Sequence, residues 1–243
     1  MKQLMENWRR FLAEGLDPRI QRKLDYLIGW ENIGIAITSD GFGKTFKYVL
    51  ITDPKADPPQ YHDMAQRGDL SPAEAEQYDE DDFYDNREKY ELYGSVDIME
   101  TREDEEGPCF GGWTVMGADA EKGWGPLLYE VAIEWASQNG GGLTSDRFSV
   151  SNDAQAVWDK YANRGGVDAQ QMDTNHDPSA SGAKVNTTVP QLTPDDKSDD
   201  CDQARVISKD GPDWHKNSTS KMYKKSKPEV MQALKSAGRL IVV

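Results

Sequence analysis

Residues that staple small folds or hold soft metals are scarce here: the 243-residue chain has two cysteines and three histidines. Cys109 and Cys201 lie far apart, with no Cys-x-x-Cys or Cys/His ligand spacing, so neither a disulfide framework nor a structural zinc site is expected. His62, His176 and His215 fall in segments that read as loops, which argues against a shared histidine site. No metal site is expected. Long apolar runs are missing as well. From Met1 to Leu12 a charge recurs every few positions, so this segment reads as neither a secretion signal nor a membrane span. The expected location is cytoplasmic.

Positive charge is the third shortage. Twenty-eight Lys and Arg face 43 Asp and Glu, a formal net charge of -15. The imbalance is local: between Asp53 and Glu106 acidic residues outnumber basic ones nearly four to one. A surface of that sign repels nucleic-acid backbones and anionic lipid and draws basic partners toward it. Neither a nucleic acid nor a membrane is an expected partner. The run Asp79-Glu80-Asp81-Asp82 lacks the glycine and the spaced oxygen ligands of a calcium loop and reads as a solvated charge run.

The apolar residues that are present mark out elements. Leu4, Trp8, Phe11, Leu12 and Leu16 recur at helical spacing, and Ile20, Leu24 and Leu27 continue the pattern in a second helical stretch. Segment 1–30 is thus an amphipathic helical segment, a candidate surface for a second copy or another partner. Ile33 to Thr38 and Thr45 to Thr52 read as a hairpin. Leu70-Ser71-Pro72-Ala73-Glu74 carries a helix-start signal inside a proline-bearing, acidic insertion over 53–90. Leu92 to Met99 and Cys109 to Ala118 are strand candidates. Pro126 to Ser137 is a helix stopped by Asn139 and Gly140 to Gly142, and Leu143 to Val150 a strand. A helix capped by Ser151 or Asn152 runs through Trp158 and Tyr161.

Residues Asp168 to Ser220 are poor in apolar side chains and predict an extended or partly disordered polar wrap within a C-terminal extension over 167–243. Lys216, Lys221, Lys224, Lys225 and Lys227 form a basic cluster, and Val230 to Val243 reads as a short helix and a strand. The strand, helix, strand, helix order predicts an α/β fold.

The chemistry-bearing stretch is Gly117-Ala118-Asp119-Ala120-Glu121-Lys122-Gly123-Trp124-Gly125-Pro126-Leu127-Leu128. A strand runs into a Gly-x-Gly turn that opens directly into an apolar helix. The first amides of a helix have no partner within it, and its dipole favours negative charge at that end. A pyrophosphate suits such a turn, with glycine letting it approach the backbone. Asp97, Asp119 and Glu121, on or beside the strands, are the carboxylates placed to act as a base.

Residues Ala120 to Gly125 resemble the Arg/Gln-x-x-Gly-x-Gly/Ala signature of the GNAT superfamily of N-acetyltransferases. Ser151 to Trp158 is similar to that family's later Asn-x-x-Ala-x-x-x-Tyr helix. Gly125-Pro126-Leu127-Leu128-Tyr129 and Leu143-Thr144-Ser145-Asp146-Arg147 resemble phrases in GNAT-like proteins of tailed bacteriophages, which would place the chain in a host cytoplasm or a virion. The resemblance implies an α/β (α+β) fold with a mixed, mostly antiparallel central sheet flanked by helices, its main domain spanning 31–166. It also implies acetyl-CoA as cofactor and a small-molecule or protein amine as substrate. It implies a pyrophosphate on Gly123, Trp124, Gly125, Leu127 and Leu128, and a pantetheine arm beside Val115 and Gly117, with Trp158 flanking the thioester. Ala120 replaces the signature's Arg or Gln, and Trp158 stands where many members have a tyrosine acid; an indole N–H is no acid near neutral pH. Tyr161, one turn on, is the substitute candidate. The same fold without the chemistry, as a structural or interaction protein, is the alternative.

Overall fold

The structure, a computed structural model, describes residues 16–30, 33–38, 46–52, 91–101, 109, 111–174 and 189–242. The helix expected over 4–15, the hairpin turn and the acidic insertion lie outside the described residues. The fold is mixed α/β, with five α-helices among the described residues and a mostly antiparallel sheet. It divides into two compact units, residues 1–98, 118–131 and 229–243 in one and 99–117 and 132–228 in the other.

In the first unit, α1 (Pro18–Gly29) starts as its sequence dictates, with Asp17 accepting from the Arg19 amide and proline at the first helical position. Its face of Ile20, Leu24 and Leu27 is buried. Strands β1 (Gly34–Thr38) and β2 (Phe46–Thr52) pair antiparallel, Ile35 opposite Ile51. Strand β3 (Gly94–Glu100) follows β2 in the sheet. The order in this unit is completed by the C-terminal β10 (Leu240–Val242), parallel to β1. Ile35, Ala36 and Ile37 are all buried, the signature of a strand covered on both faces. The intervening α5 (Glu229–Ser236) buries Val230, Ala233 and Leu234 and touches α1.

Three elements run through both units: β3, β4 (Trp113–Ala120) and α2 (Gly125–Asn139). Most of helix α2 is buried: Leu127, Leu128, Val131, Ala132, Ile133 and Ala136 have no exposure, and Glu130 and Glu134 are buried among them. Glu134, fully buried on α2, meets the ammonium of Lys225 at 2.7 Å in the second unit.

In the second unit β4 pairs parallel with β5 (Leu143–Thr144), through the crossover of α2. Gly142 makes this connection possible. Its φ is +130°, and a Cβ there would come within 2.6 Å of the Tyr223 carbonyl oxygen. The sheet order of this unit is β4, β5, β9 (Lys221–Lys224), β6 (Asp168–Gln171). Helix α3 (Asn152–Asn163) is capped by Ser151, whose Oγ accepts from the Ala154 amide. Strands β7 (Asp173–Thr174) and β8 (Asp200–Cys201) form a separate parallel pair, and α4 (Ala204–Asp210) precedes two short 3-10 turns.

Four expectations are corrected here. The described part of the expected polar wrap, 168–174 and 189–220, is folded: it supplies β6, β7, β8 and α4, and β9 follows it into the sheet. The strand expected from Cys109 begins only at Trp113, Cys109 itself making one isolated bridge with Cys201. The strand expected to reach Val150 ends at Thr144. Cys109 and Cys201 are joined in a disulfide, packed with Met172 and Met222.

Beyond β5 the chain is held by Arg147, a buried guanidinium. It donates to the carbonyls of Ser145 at 2.8 Å and Thr219 at 2.6 Å, and at longer range to Asp202 O and Gln203 Oε1. Burial lowers its pKa to about 10, so it stays charged at neutral pH. Among the described residues no helix is long and apolar enough to cross a membrane.

Candidate functional site

The Gly-x-Gly turn lies in the first unit, between the end of β4 and the start of α2. The Glu121 amide donates to the Tyr93 carbonyl and the Trp124 amide to Glu121, both at 3.0 Å, which closes the turn. Gly123 stands at φ +90°, a conformation that favours glycine. Leu127 and Leu128 both donate to the Trp124 carbonyl, at 3.0 and 3.2 Å. These two amides, implied as phosphate donors, are therefore spent inside the helix. Pro126 has none to offer. Among the described residues, the amides of Gly123 and Gly125 have no acceptor in the protein.

Trp124 holds the turn in place. Its ring is 3% exposed, stacked on Tyr93 at 5.0 Å with 13° between planes and edge-on to Tyr26 at 5.8 Å. A side chain packed this way offers no open ring face to a ligand. The Lys23 ammonium, reaching from α1, lies 4.0 Å from the Trp124 ring centroid. A cation over an indole face is attracted by its quadrupole. The same ammonium would be 4.0 Å from a Cβ at Gly123. A positive charge thus sits beside the turn, although Ala120 supplies none. At Gly125 a Cβ would meet nothing closer than Ala120 Cβ at 3.9 Å, so that face of the turn is open.

Of the candidate bases, Asp119 and Glu121 flank the same turn and are exposed. Asp97 is half-buried on β3.

The remaining implied residues belong to the second unit. Val115 is buried on β4 and Gly117 half-exposed. Trp158 and Tyr161, 1% and 3% exposed, face Tyr223 of β9, with ring centroids 5.2 and 6.1 Å away. Tyr223 donates to the Ser218 carbonyl at 2.6 Å, and burial raises its pKa well above the ordinary tyrosine value. Tyr161 is therefore a core side chain within an aromatic group. An acid placed there would need to be uncovered to reach a thiolate.

Lys23, Tyr26 and Tyr93 were not marked by sequence reasoning. Lys23 and Tyr26 are three apart on an amphipathic helix, a spacing visible in the sequence, but nothing local ties them to a turn a hundred residues later. No family model, curated protein or solved structure matches the chain.

Proposed function

We propose that the chain is an acyl-CoA-dependent N-acyltransferase of GNAT-like architecture that moves an acetyl group to an amine of a basic substrate. The observation that carries this reading is the juxtaposition at the turn: two glycine amides without a protein acceptor, a helix N-terminus and the Lys23 ammonium. Backbone donors plus a point charge are what a pyrophosphate needs. Lys23 takes the part that the absent Arg or Gln would play. The parallel β4–β5 pair joined by α2 supports the same reading, since open α/β sheets take ligands at the carboxyl ends of strands.

In the proposed reaction the amine lone pair attacks the thioester carbonyl carbon. The C–N bond forms, the C–S bond breaks, and coenzyme A leaves as its thiolate. The ammonium proton passes to Asp119 or Glu121, directly or through water. A thiol of pKa about 8.5 leaves with little acid assistance, so the burial of Tyr161 and the indole at 158 do not halt the step. The net charge of -15 favours a cationic acceptor, such as a lysine side chain or a polyamine. On this reading the chain works in a host cytoplasm or a virion, where segment 1–30 meets a second copy or a virion partner.

A second reading, the fold kept without the reaction, draws on the buried Trp158 and Tyr161. The two separate cleanly. Thermal stabilisation by acetyl-CoA together with coenzyme A release in the presence of a polyamine or a lysine-rich peptide supports the enzyme. Stabilisation without turnover supports the second reading. No stabilisation at millimolar acetyl-CoA overturns the enzyme and leaves the second reading.

A further inference from the structure

In the second unit Asp173 of β7 and Asp200 of β8 stand opposite each other in a parallel register, with Asp199 immediately before. One carboxylate oxygen from each of the three lies within 4.8 Å of the others. All three are sequestered, at 1%, 9% and 7% exposure for Asp173, Asp199 and Asp200. Three like charges so close are costly in a poorly solvated place unless something compensates them.

The protein compensates only one of them fully. Both Asp173 oxygens accept backbone amides: Thr174 at 2.7 Å and Leu192 at 3.0 Å on Oδ1, Thr193 at 2.8 Å on Oδ2. The Thr193 hydroxyl lies 3.2 Å from Asp173 Oδ2 and donates to Asp199 Oδ2 at 2.7 Å. Asp199 Oδ1 and Asp200 Oδ1 are buried and accept nothing. The basic neighbour is Lys197, which is exposed. Burial and the neighbouring carboxylates push the Asp200 pKa up to about 6 and raise that of Asp199. Buried, unpartnered carboxylate oxygens of this kind call for an explanation. An unseen ion is a direct one.

We infer that Asp173, Asp199 and Asp200 hold a calcium ion. All-oxygen donors select a hard cation over zinc or copper, and Cys201 is spent in its disulfide. Calcium accepts oxygens at about 2.3–2.6 Å in flexible geometry, so one ion can reach atoms within 4.8 Å of one another. Magnesium keeps several waters and demands a tighter octahedron, which a buried trio accommodates poorly. Two amides take up Asp173 Oδ1, whereas Oδ2 accepts one and retains a lone pair, so Asp173 remains a competent ligand through Oδ2. The ion would cross-tie β7 to the segment 192–200, next to the Cys109–Cys201 link.

The test is calorimetric and thermal titration of the full chain, stripped with chelator, using calcium chloride and separately magnesium chloride. Calcium should bind and raise Tm by roughly 5–10 °C at a hundredfold excess over its Kd, with magnesium weaker. Asp200→Asn should melt at or above the stripped wild type, because it removes repulsion, and should bind calcium at least tenfold more weakly. Asp199→Asn should behave alike and serves in its place if Asp200→Asn does not fold. Three results would overturn the assignment: no calcium response in the wild type, a response to magnesium alone, or undiminished calcium binding in a folded variant. The last would put the ion elsewhere on this acidic chain.

Discussion

Three side chains shape the turn. Trp124 is locked between Tyr93 and Lys23, and in the proposed site recognition falls to Gly123, Gly125 and the Lys23 charge. A charge-assisted hydrogen bond contributes about 1.5–3 kcal/mol, so Lys23→Glu should weaken acetyl-CoA binding by about tenfold or more in a titration. Because Lys23 is only half-buried, its melting temperature should move little. Gly142→Ala makes the opposite kind of prediction. The φ of +130° and the 2.6 Å approach to the Tyr223 carbonyl leave no room for a methyl group. That substitution should cost about 1–3 kcal/mol or more, read by denaturant melts. The sequence marked the glycines as turn residues and placed Trp124 between them. Lys23 stayed invisible because its role exists only once α1 packs near a turn that is remote in sequence.

Among the elements, those with a strong period were legible. Helix α2, with its recurring apolar residues, and α3, capped by Ser151, stand where the pattern puts them, as do β1, β2 and β3. The C-terminal half was misread because its stabilising groups are polar. The described residues 168–174 and 189–220 are held by Arg147 on carbonyls, by Asp173 on amides and by one disulfide, none of which leaves an apolar period. Strand β9 looked like part of a basic cluster, yet Met222 and Tyr223 are buried while Lys221 and Lys224 keep partial exposure. The cysteine pair was illegible for another reason: 92 residues separate its members, and only the fold brings them together. Closing a loop of that length contributes about 4–5 kcal/mol in the chain-entropy account. Reduction, or Cys109→Ser with Cys201→Ser, should therefore lower Tm by roughly ten degrees. Such a bond persists where thiols are kept oxidised, so in a reducing cytoplasm the dithiol form would be the working one. Removing Glu134 from α2 should cost about 3–5 kcal/mol, since one member of a buried ion pair would remain.

For the whole molecule, charge is the feature that sequence alone established. A net charge of -15 sets a long-range field that attracts cationic acceptors and repels anionic ones. Acceptor capture at low substrate should accordingly fall as salt shortens the Debye length from about 30 Å at 0.01 M to about 8 Å at 0.15 M. Turnover at saturating acceptor should change little. An acceptor preference that is blind to salt would count against electrostatic steering. Fold class was legible at the level of a mixed α/β fold with a mostly antiparallel sheet. The polar half was expected to lie outside the main domain; it forms much of the second unit.

The central claim is that the Gly-x-Gly turn receives the pyrophosphate of an acyl-CoA. Gly125 offers the most direct test, because a Cβ there meets nothing closer than 3.9 Å and a side chain should be accepted without unfolding. Calorimetric titration of acetyl-CoA into the wild type and Gly125→Glu, each with its melting temperature recorded, isolates the turn. The account predicts saturable binding to the wild type and its loss in a variant that melts within a few degrees of it. No binding to the wild type at millimolar cofactor, or equal binding to both proteins, would contradict it.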